Sequence, residues 1–302
     1  MPVPLRQCFA AMGCDCEVQV YAADPAVAET AAAAAQAEVR RVEAKFSRYR
    51  PDSVLSRINA AAGRTACPLD DETAGLVAYG VTCWQQSDGA FDLTSGVLRR
   101  AWDFRGGIVP SREQVAEVRA LVGWDKVRWQ PPDLFLPLPG MELDLGGIAK
   151  EYAADTAATA CLAAGAAVCL INLGGDVRTT GPHPDGRPWR VGIRHPRQPD
   201  RRAARLQIAA GGLATSGDYE RAIIRDGIRY CHILDARTGW PVAAPPSVTV
   251  IAPVCLVAGS LTTLAMLAGP TAQALLEAAG LPWLLLDEQG RRCGPLAEKD
   301  LT

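Results

Sequence analysis

The chain predicts an α+β fold of mixed, largely antiparallel sheets flanked by helices, and three observations carry that expectation. A strand-like alternation near the N-terminus leads into a long helix. A wholly apolar strand follows another helix near the middle, and from residue 189 four strand-like runs succeed one another before the next helix. Strict βαβ alternation is missing, so a doubly wound parallel sheet fits less well.

Taken in order, EVQVYA (17–22) alternates polar and apolar residues as a half-buried strand does. Asp24-Pro25 then offers an N-cap and a first-turn proline to an alanine-rich helix reaching about Phe46. Asp70 caps a helix that runs to Ser87, where Asp88-Gly89 ends it; Leu76, Gly80, Cys83 and Trp84 form its apolar stripe. A third helix from about Ile148 to Leu162 leads into AAVCLINL (166–173), apolar throughout and therefore a buried strand. Strands are expected at WRVGIRH, RLQIAA, IRYCHIL, SVTVIAP and PWLLLD, with an apolar helix from Leu256 to Leu267 between the last two. The Pro/Arg-rich stretch 182–202 is expected to be a surface loop system.

With 302 residues, 49% hydrophobic and 21% charged, the chain can bury the core of one large domain or of two intimately packed ones. Its 31 basic and 33 acidic residues nearly balance, and no basic run is interleaved with aromatics, so no nucleic-acid partner is expected. The N-terminus lacks the apolar core of a signal peptide and no membrane-spanning segment stands out, which predicts a cytoplasmic protein without membrane insertion. Ten cysteines without a C-x-x-C pair read as reduced, mostly buried thiols. Cys14 and Cys16 are the close pair, and spacing supplies no further ligands for a zinc site.

No P-loop, dinucleotide-binding, nucleophile-elbow or zincin signature occurs. Four glycine-marked clusters remain. Asp144-Leu-Gly-Gly-Ile-Ala-Lys150 puts two glycines before a helix whose first turn holds Lys150, which suits an anion such as a phosphate or else a plain turn with a solvated lysine. Asn172-Leu-Gly-Gly-Asp176 follows the buried strand, and its Gly174 and Gly175 permit either a tight turn or close approach of a ligand. Thr215-Ser-Gly-Asp-Tyr-Glu220 and His232-x-x-Asp235-x-x-Thr238-Gly239 complete the set. His232, one of three histidines, is alone a structural residue of a strand; with Asp235 nearby it becomes a candidate acid/base, because a carboxylate can set the tautomer and pKa of an imidazole.

In this order the clusters resemble the ApbE family of FAD:protein FMN transferases. The resemblance begins at Met12-Gly13 and takes in FSRYRPDSVLSRIN (46–59), DGAFDLTSG (88–96), LDLGGIAKEYAAD (143–155), INLGGD (171–176), SGDYE (216–220), HILDARTG (232–239) and SVTVIAP with AGSLTT (258–263). It implies that FAD is bound with Mg²⁺ and that its FMN half moves to a Thr or Ser hydroxyl of an acceptor protein through a phosphoester, releasing AMP. It makes His232 the residue bearing on the acceptor hydroxyl and Lys150 a phosphate or leaving-group contact. Tyr49, Asn59, Asp92, Thr94, Gly174, Gly175, Asp176, Ser216, Gly217, Asp218, Glu220, Asp235, Thr238 and Gly239 match the FAD pocket.

The metal motif departs from the family's pattern. Where the family usually reads A-D-A-L-S-T, this chain reads Ala258-Gly-Ser-Leu-Thr-Thr263, so Gly259 carries no carboxylate. Thr263 and the Gly147 carbonyl remain, and Glu151 stands where the family usually has glycine. One carboxylate lost and one gained suggests that Glu151 helps hold the cation; the other reading makes it an exposed first-turn residue favoured by the helix dipole. Cys14 replaces the usual threonine of M-G-T, His195 stands where the strand usually ends in Asp-Pro, and Ala236 replaces a proline. A metal-dependent FAD pyrophosphatase and a non-catalytic flavin-binding protein are the alternative functions.

Overall fold

The computed structural model describes residues 4–297. Its centre is an eight-stranded sheet of β1 (Leu5–Ala11), β2 (Cys14–Tyr21), β3 (Val168–Leu173), β4 (Asp176–Thr179), β5 (Gly211–Gly217), β6 (Ser247–Ala252), β7 (Trp283–Leu286) and β8 (Arg292–Cys293). Spatial order follows chain order, and every neighbouring pair is antiparallel. Seven α-helices accompany it among the described residues: α1 (Pro25–Phe46), α2 (Val54–Ala60), α3 (Asp71–Gln86), α4 (Arg112–Arg119), α5 (Ala149–Ala163), α6 (Cys255–Ala268) and α7 (Ala272–Ala279). The α+β expectation holds.

Local chemistry explains the boundaries. Asp24 accepts from Ala26 N at 2.8 Å and Pro25 opens the first turn of α1, while Asp70 accepts from Thr73 N at 2.9 Å to start α3. The buried face of α1 is Ala28, Ala31, Ala32, Ala35, Val39 and Val42, and α5 answers with Ala153, Ala154, Ala157 and Ala158. Side chains this small let two helices pack closely over one face of the sheet, where Cys16, Val18 and Val20 of β2 meet them in the largest core cluster.

The other face is covered by a hairpin of strands Trp189–His195 and Gln198–Ile208, whose Trp189, Ile193, Leu206 and Ile208 pack against Leu170, Leu213 and Leu284. β3 is apolar at nearly every position because both its faces are covered: Ile171 and Leu173 turn to the helices, Leu170 to the hairpin. The strand expected at WRVGIRH is found at Trp189–His195, whereas the strand expected at 205–210 starts earlier, at Gln198, so that 198–202 is strand and not the surface loop expected. Its charged, Pro-containing sequence hides the pairing because that end is exposed.

Three further corrections follow. The strand expected through IRYCHIL stops at Cys231, so His232 lies in a bend after the hairpin Ala222–Arg225/Ile228–Cys231. The short β1, the helices α2, α4 and α7, and the glycine-rich β5 have no counterpart among the expected elements. Finally, the run Cys255–Ala279 is long and apolar enough to cross a membrane by length and composition, contrary to the sequence expectation; 61% of its most apolar 18-residue window is buried in the fold. Ala258, Ala265 and Met266 of α6 pack there against Ala214, Val248 and Val250 of the sheet.

Candidate active site

β3 and β4 are joined by the two residues Gly174 and Gly175, both at positive φ (63° and 103°), which gives the hairpin a turn matching the strand twist. The turn delivers Asp176, 4% exposed, to the first turn of α5. There the Lys150 ammonium lies 2.7 Å from Asp176 Oδ2. Burial opposes the lysine's charge, but Asp176 and then Glu151 outweigh it and hold the group above its ordinary pKa. Burial pushes Asp176 up, against the pull of Lys150.

Glu151 is buried, 8% exposed, so it is not the exposed helix-dipole residue of the second sequence reading. Burial first, and then the charge of Asp176, push its carboxyl up to about 8. Its Oε2 has no hydrogen-bond partner. The space it fills belongs to α6: a Cβ on Gly259 would sit 2.7 Å from Glu151 Oε1 and 2.8 Å from Cδ. The missing side chain at 259 and the added one at 151 occupy one place.

Around this point α6 and β5 converge. Thr262, fully buried, donates to the Gly259 carbonyl at 2.8 Å and shares a 2.8 Å hydrogen bond with Ser216. Thr263 is half-buried and four residues from Gly259, on the same side of α6. Asp155 accepts from Cys255 N and Leu256 N, both at 2.9 Å, which fastens the start of α6 to α5. Gly147 precedes α5 in the loop fixed by Asn59, whose amide exchanges two hydrogen bonds with Leu143 (2.7 and 3.0 Å). Asp144 follows, receiving Gly146 N at 2.8 Å and pairing with Arg48. Among the described residues no group of three or more His, Cys, Asp or Glu side chains converges as a metal site.

Arg48 links this loop to a second group of residues. It donates to the Tyr49 hydroxyl at 3.1 Å with its guanidinium 5.1 Å from the ring, and Tyr49 itself is 77% exposed. Arg48 lowers the Tyr49 pKa, and the positive charge of Arg221 contributes in the same direction. The Arg221 carbonyl in turn accepts from His232 N at 3.0 Å and from the ring Nδ1 at 3.3 Å. A carbonyl only accepts, so Nδ1 carries the proton and Nε2 of the neutral ring keeps its lone pair. Burial, reinforced by the Arg221 charge, lowers the His232 pKa against the opposing pull of that hydrogen bond. Sequence reasoning missed Arg48 and Arg221; the adjacency of Arg48 to Tyr49 and of Arg221 to the SGDYE turn was the available signal.

Other expected site residues are placed as supports. Asp235 does not orient His232; it accepts from its own neighbour Arg237 at 2.7 Å, and its carbonyl closes the Thr238-Gly239 turn with a 2.7 Å bond from Gly239 N. Thr238 accepts from Trp240 N at 3.1 Å, and the Gly239 carbonyl receives the Trp102 indole at 2.8 Å. Asp92, 5% exposed, accepts from Thr94 N, Thr94 Oγ1 and Trp124 N (2.7, 2.6 and 2.7 Å), and Thr94 accepts from Gly123 N at 2.8 Å, so both side chains are spent inside the protein. Asp218 is gripped by both Arg197 nitrogens at 2.6 and 2.7 Å just after Gly217, while exposed Glu220 meets Arg194 at 3.5 Å. Asp218→Ala should therefore cost stability, roughly 2–3 kcal/mol, because Arg197 loses a bidentate partner but keeps Glu288 at 2.9 Å and some solvent; urea unfolding measures it.

The ApbE family matches residues 12–285. An FAD:protein FMN transferase of Vibrio cholerae serotype O1 is 32% identical over 278 residues, 88% of this chain and 82% of that protein. One from Klebsiella pneumoniae is 36% identical over 220 residues, 70% of this chain and 67% of its own. The crystal structure of the ApbE protein of Thermotoga maritima superposes with a TM-score of 0.88 at 32% identity, covering 96% of both chains. That of the Pseudomonas stutzeri flavinyl transferase ApbE gives 0.85 at 32%, covering 97% of this chain and 95% of the other. Two converging groups of polar residues, the one fold that places them, and similarity over nearly the whole length lead to one conclusion: the chain belongs to the ApbE family.

Proposed function

We propose that this protein is an FAD:protein FMN transferase acting on a Thr or Ser hydroxyl of an acceptor protein. The observation that carries the reading is His232, in the bend after the hairpin, held through Nδ1 by the carbonyl of Arg221, whose positive charge also acts on the exposed Tyr49. FAD brings a flavin able to stack on an exposed tyrosine and a pyrophosphate able to pair with cations. The hydroxyl oxygen of the acceptor protein would attack the phosphorus on the FMN side, the phosphoanhydride bond would break with AMP leaving on the bridging oxygen, and His232 Nε2 would take the hydroxyl proton. Lys150, kept protonated by Asp176, supplies positive charge beside the glycine turn where phosphate charge must be neutralised.

Mg²⁺ belongs to the same proposal. Glu151 with its unpartnered buried oxygen suits a hard cation, and Thr263, four residues from Gly259, and the Gly147 carbonyl are the oxygen donors that would share it. Bound there, the cation would stabilise negative charge on the pyrophosphate, whose oxygens would complete its shell.

Because the base must be neutral and the pKa of His232 is lowered, the loss of activity due to protonation of His232 should set in only below the ordinary histidine value of 6.5. A pH profile of kcat/KM checks the sign. The function itself is tested by incubating the protein with FAD, Mg²⁺ and a threonine-bearing acceptor peptide. Flavin fluorescence that stays with the peptide under denaturing conditions supports transfer. Free FMN with AMP would favour the pyrophosphatase, and FAD retained unchanged the non-catalytic reading.

A further inference from the structure

Cys14 and Cys16 lie on one face of β2 with their sulfurs 3.9 Å apart. Cys14 is half-buried and Cys16 buried, so one sulfur is open to a small solute and the other waits behind it. The pair adjoins the site described above. A Cβ on Gly174 would lie 3.0 Å from Cys14 Sγ and 3.8 Å from Lys150 Nζ, which puts thiol and ammonium around one point. Asp15, between the two cysteines, accepts the Gly174 N–H at 3.0 Å, so the backbone of this short stretch holds the turn that leads to Asp176.

The roles of the two sulfurs differ. A hydrogen bond from Cys16 and, against burial, the charge of Lys150 bring the Cys14 thiol down to about 7, whereas the same hydrogen bond and burial push Cys16 up. Cys14 is thus the nucleophile and Cys16 the group that resolves its oxidised form.

We propose that Cys14 and Cys16 are an oxidisable dithiol that hydrogen peroxide closes into a disulfide, and that closure stalls flavin transfer at the adjoining Lys150–Asp176 site. The first half stands by itself; the second rests on the proposed function. In the first step the Cys14 sulfur attacks a peroxide oxygen, an S–O bond forms, the O–O bond breaks and hydroxide leaves. In the second the Cys16 sulfur attacks the sulfenic sulfur, the S–S bond forms, and the S–O oxygen leaves as water with the Cys16 proton. Two thiols and one peroxide give one disulfide and two waters.

Residues two apart on an extended strand have Cα atoms about 6.6 Å apart, near the upper end of what a disulfide spans. Most disulfides hold their Cα atoms about 5.5–6 Å apart, so closure should draw the two residues together and buckle the start of β2. That movement draws Cys14 away from Lys150 and carries Asp15 with it, displacing the Gly174-Gly175 turn. A bridge formed at this reach is expected to reduce readily with dithiothreitol.

The experiment uses a Cys8→Ser background, because the tryptic peptide 7–40 also contains that exposed thiol. After peroxide treatment the peptide should be two hydrogens lighter, with both thiols blocked, and transfer should fall in proportion to the bridged fraction and return with dithiothreitol. In a Cys16→Ser variant, with basal transfer unchanged, dimedone should trap a sulfenic acid at Cys14. Thiols 14 and 16 that remain free, separate sulfinic acids without a bridge, or full transfer by bridged protein would each overturn the proposal. The mass readout does not depend on flavin transfer, so failure of the dithiol and failure of the transferase reading are distinguishable.

Discussion

His232→Ala should abolish flavin transfer while leaving the protein folded. A positioned base typically contributes about 10²–10⁴-fold, and the loss should fall on kcat with little change in KM for FAD. Folding survives because the ring is only half-buried and its single side-chain bond is to the Arg221 carbonyl, which is also held by the His232 main-chain N–H. Stopped assays with circular dichroism on the same sample separate the two effects. A variant that unfolds would return His232 to a structural role, and one that keeps full activity would remove it as the base.

The second large effect concerns the exchange between positions 151 and 259. Glu151→Gln should keep the fold, because the amide fills the same space; the unaltered protein should gain melting temperature on addition of Mg²⁺ with AMP, and the variant should not. Gly259→Asp alone should overpack the site against Glu151 and cost about 1–3 kcal/mol. Combined with Glu151→Gly it should regain both stability and the Mg²⁺-dependent shift, since one carboxylate then reaches the pocket from α6 in place of α5. Simple additivity of the two substitutions would show that the positions do not share a site.

The sequence made some of this legible because local chemistry is written in adjacent residues. The Asp24-Pro25 cap, the Asp70 cap and the double glycine before Lys150 each specify an element boundary through groups a few residues apart, and each is found where expected. Long-range partners carry no such mark. Asp235 resembled an orienting carboxylate for His232 by spacing, yet the nearest competing donor, Arg237, takes it, while Arg221, eleven residues upstream, holds the ring through its backbone. Likewise Asp92, Thr94, Asn59 and Asp218 read as pocket residues because their motifs do; only the fold reveals that their hydrogen bonds hold loops in place. The exchange at 151 and 259 lies between these cases. Sequence raised it as a departure at two distant positions, and the packing of Glu151 over Gly259 joins them.

The measurement that bears most directly on the central claim quantifies AMP, free FMN and peptide-bound FMN together in one reaction of protein, FAD, Mg²⁺ and threonine-bearing peptide. Transfer predicts that AMP and peptide-bound FMN appear in equal amounts with no free FMN, and that both vanish in His232→Ala. AMP matched by free FMN, with nothing on the peptide, would contradict it.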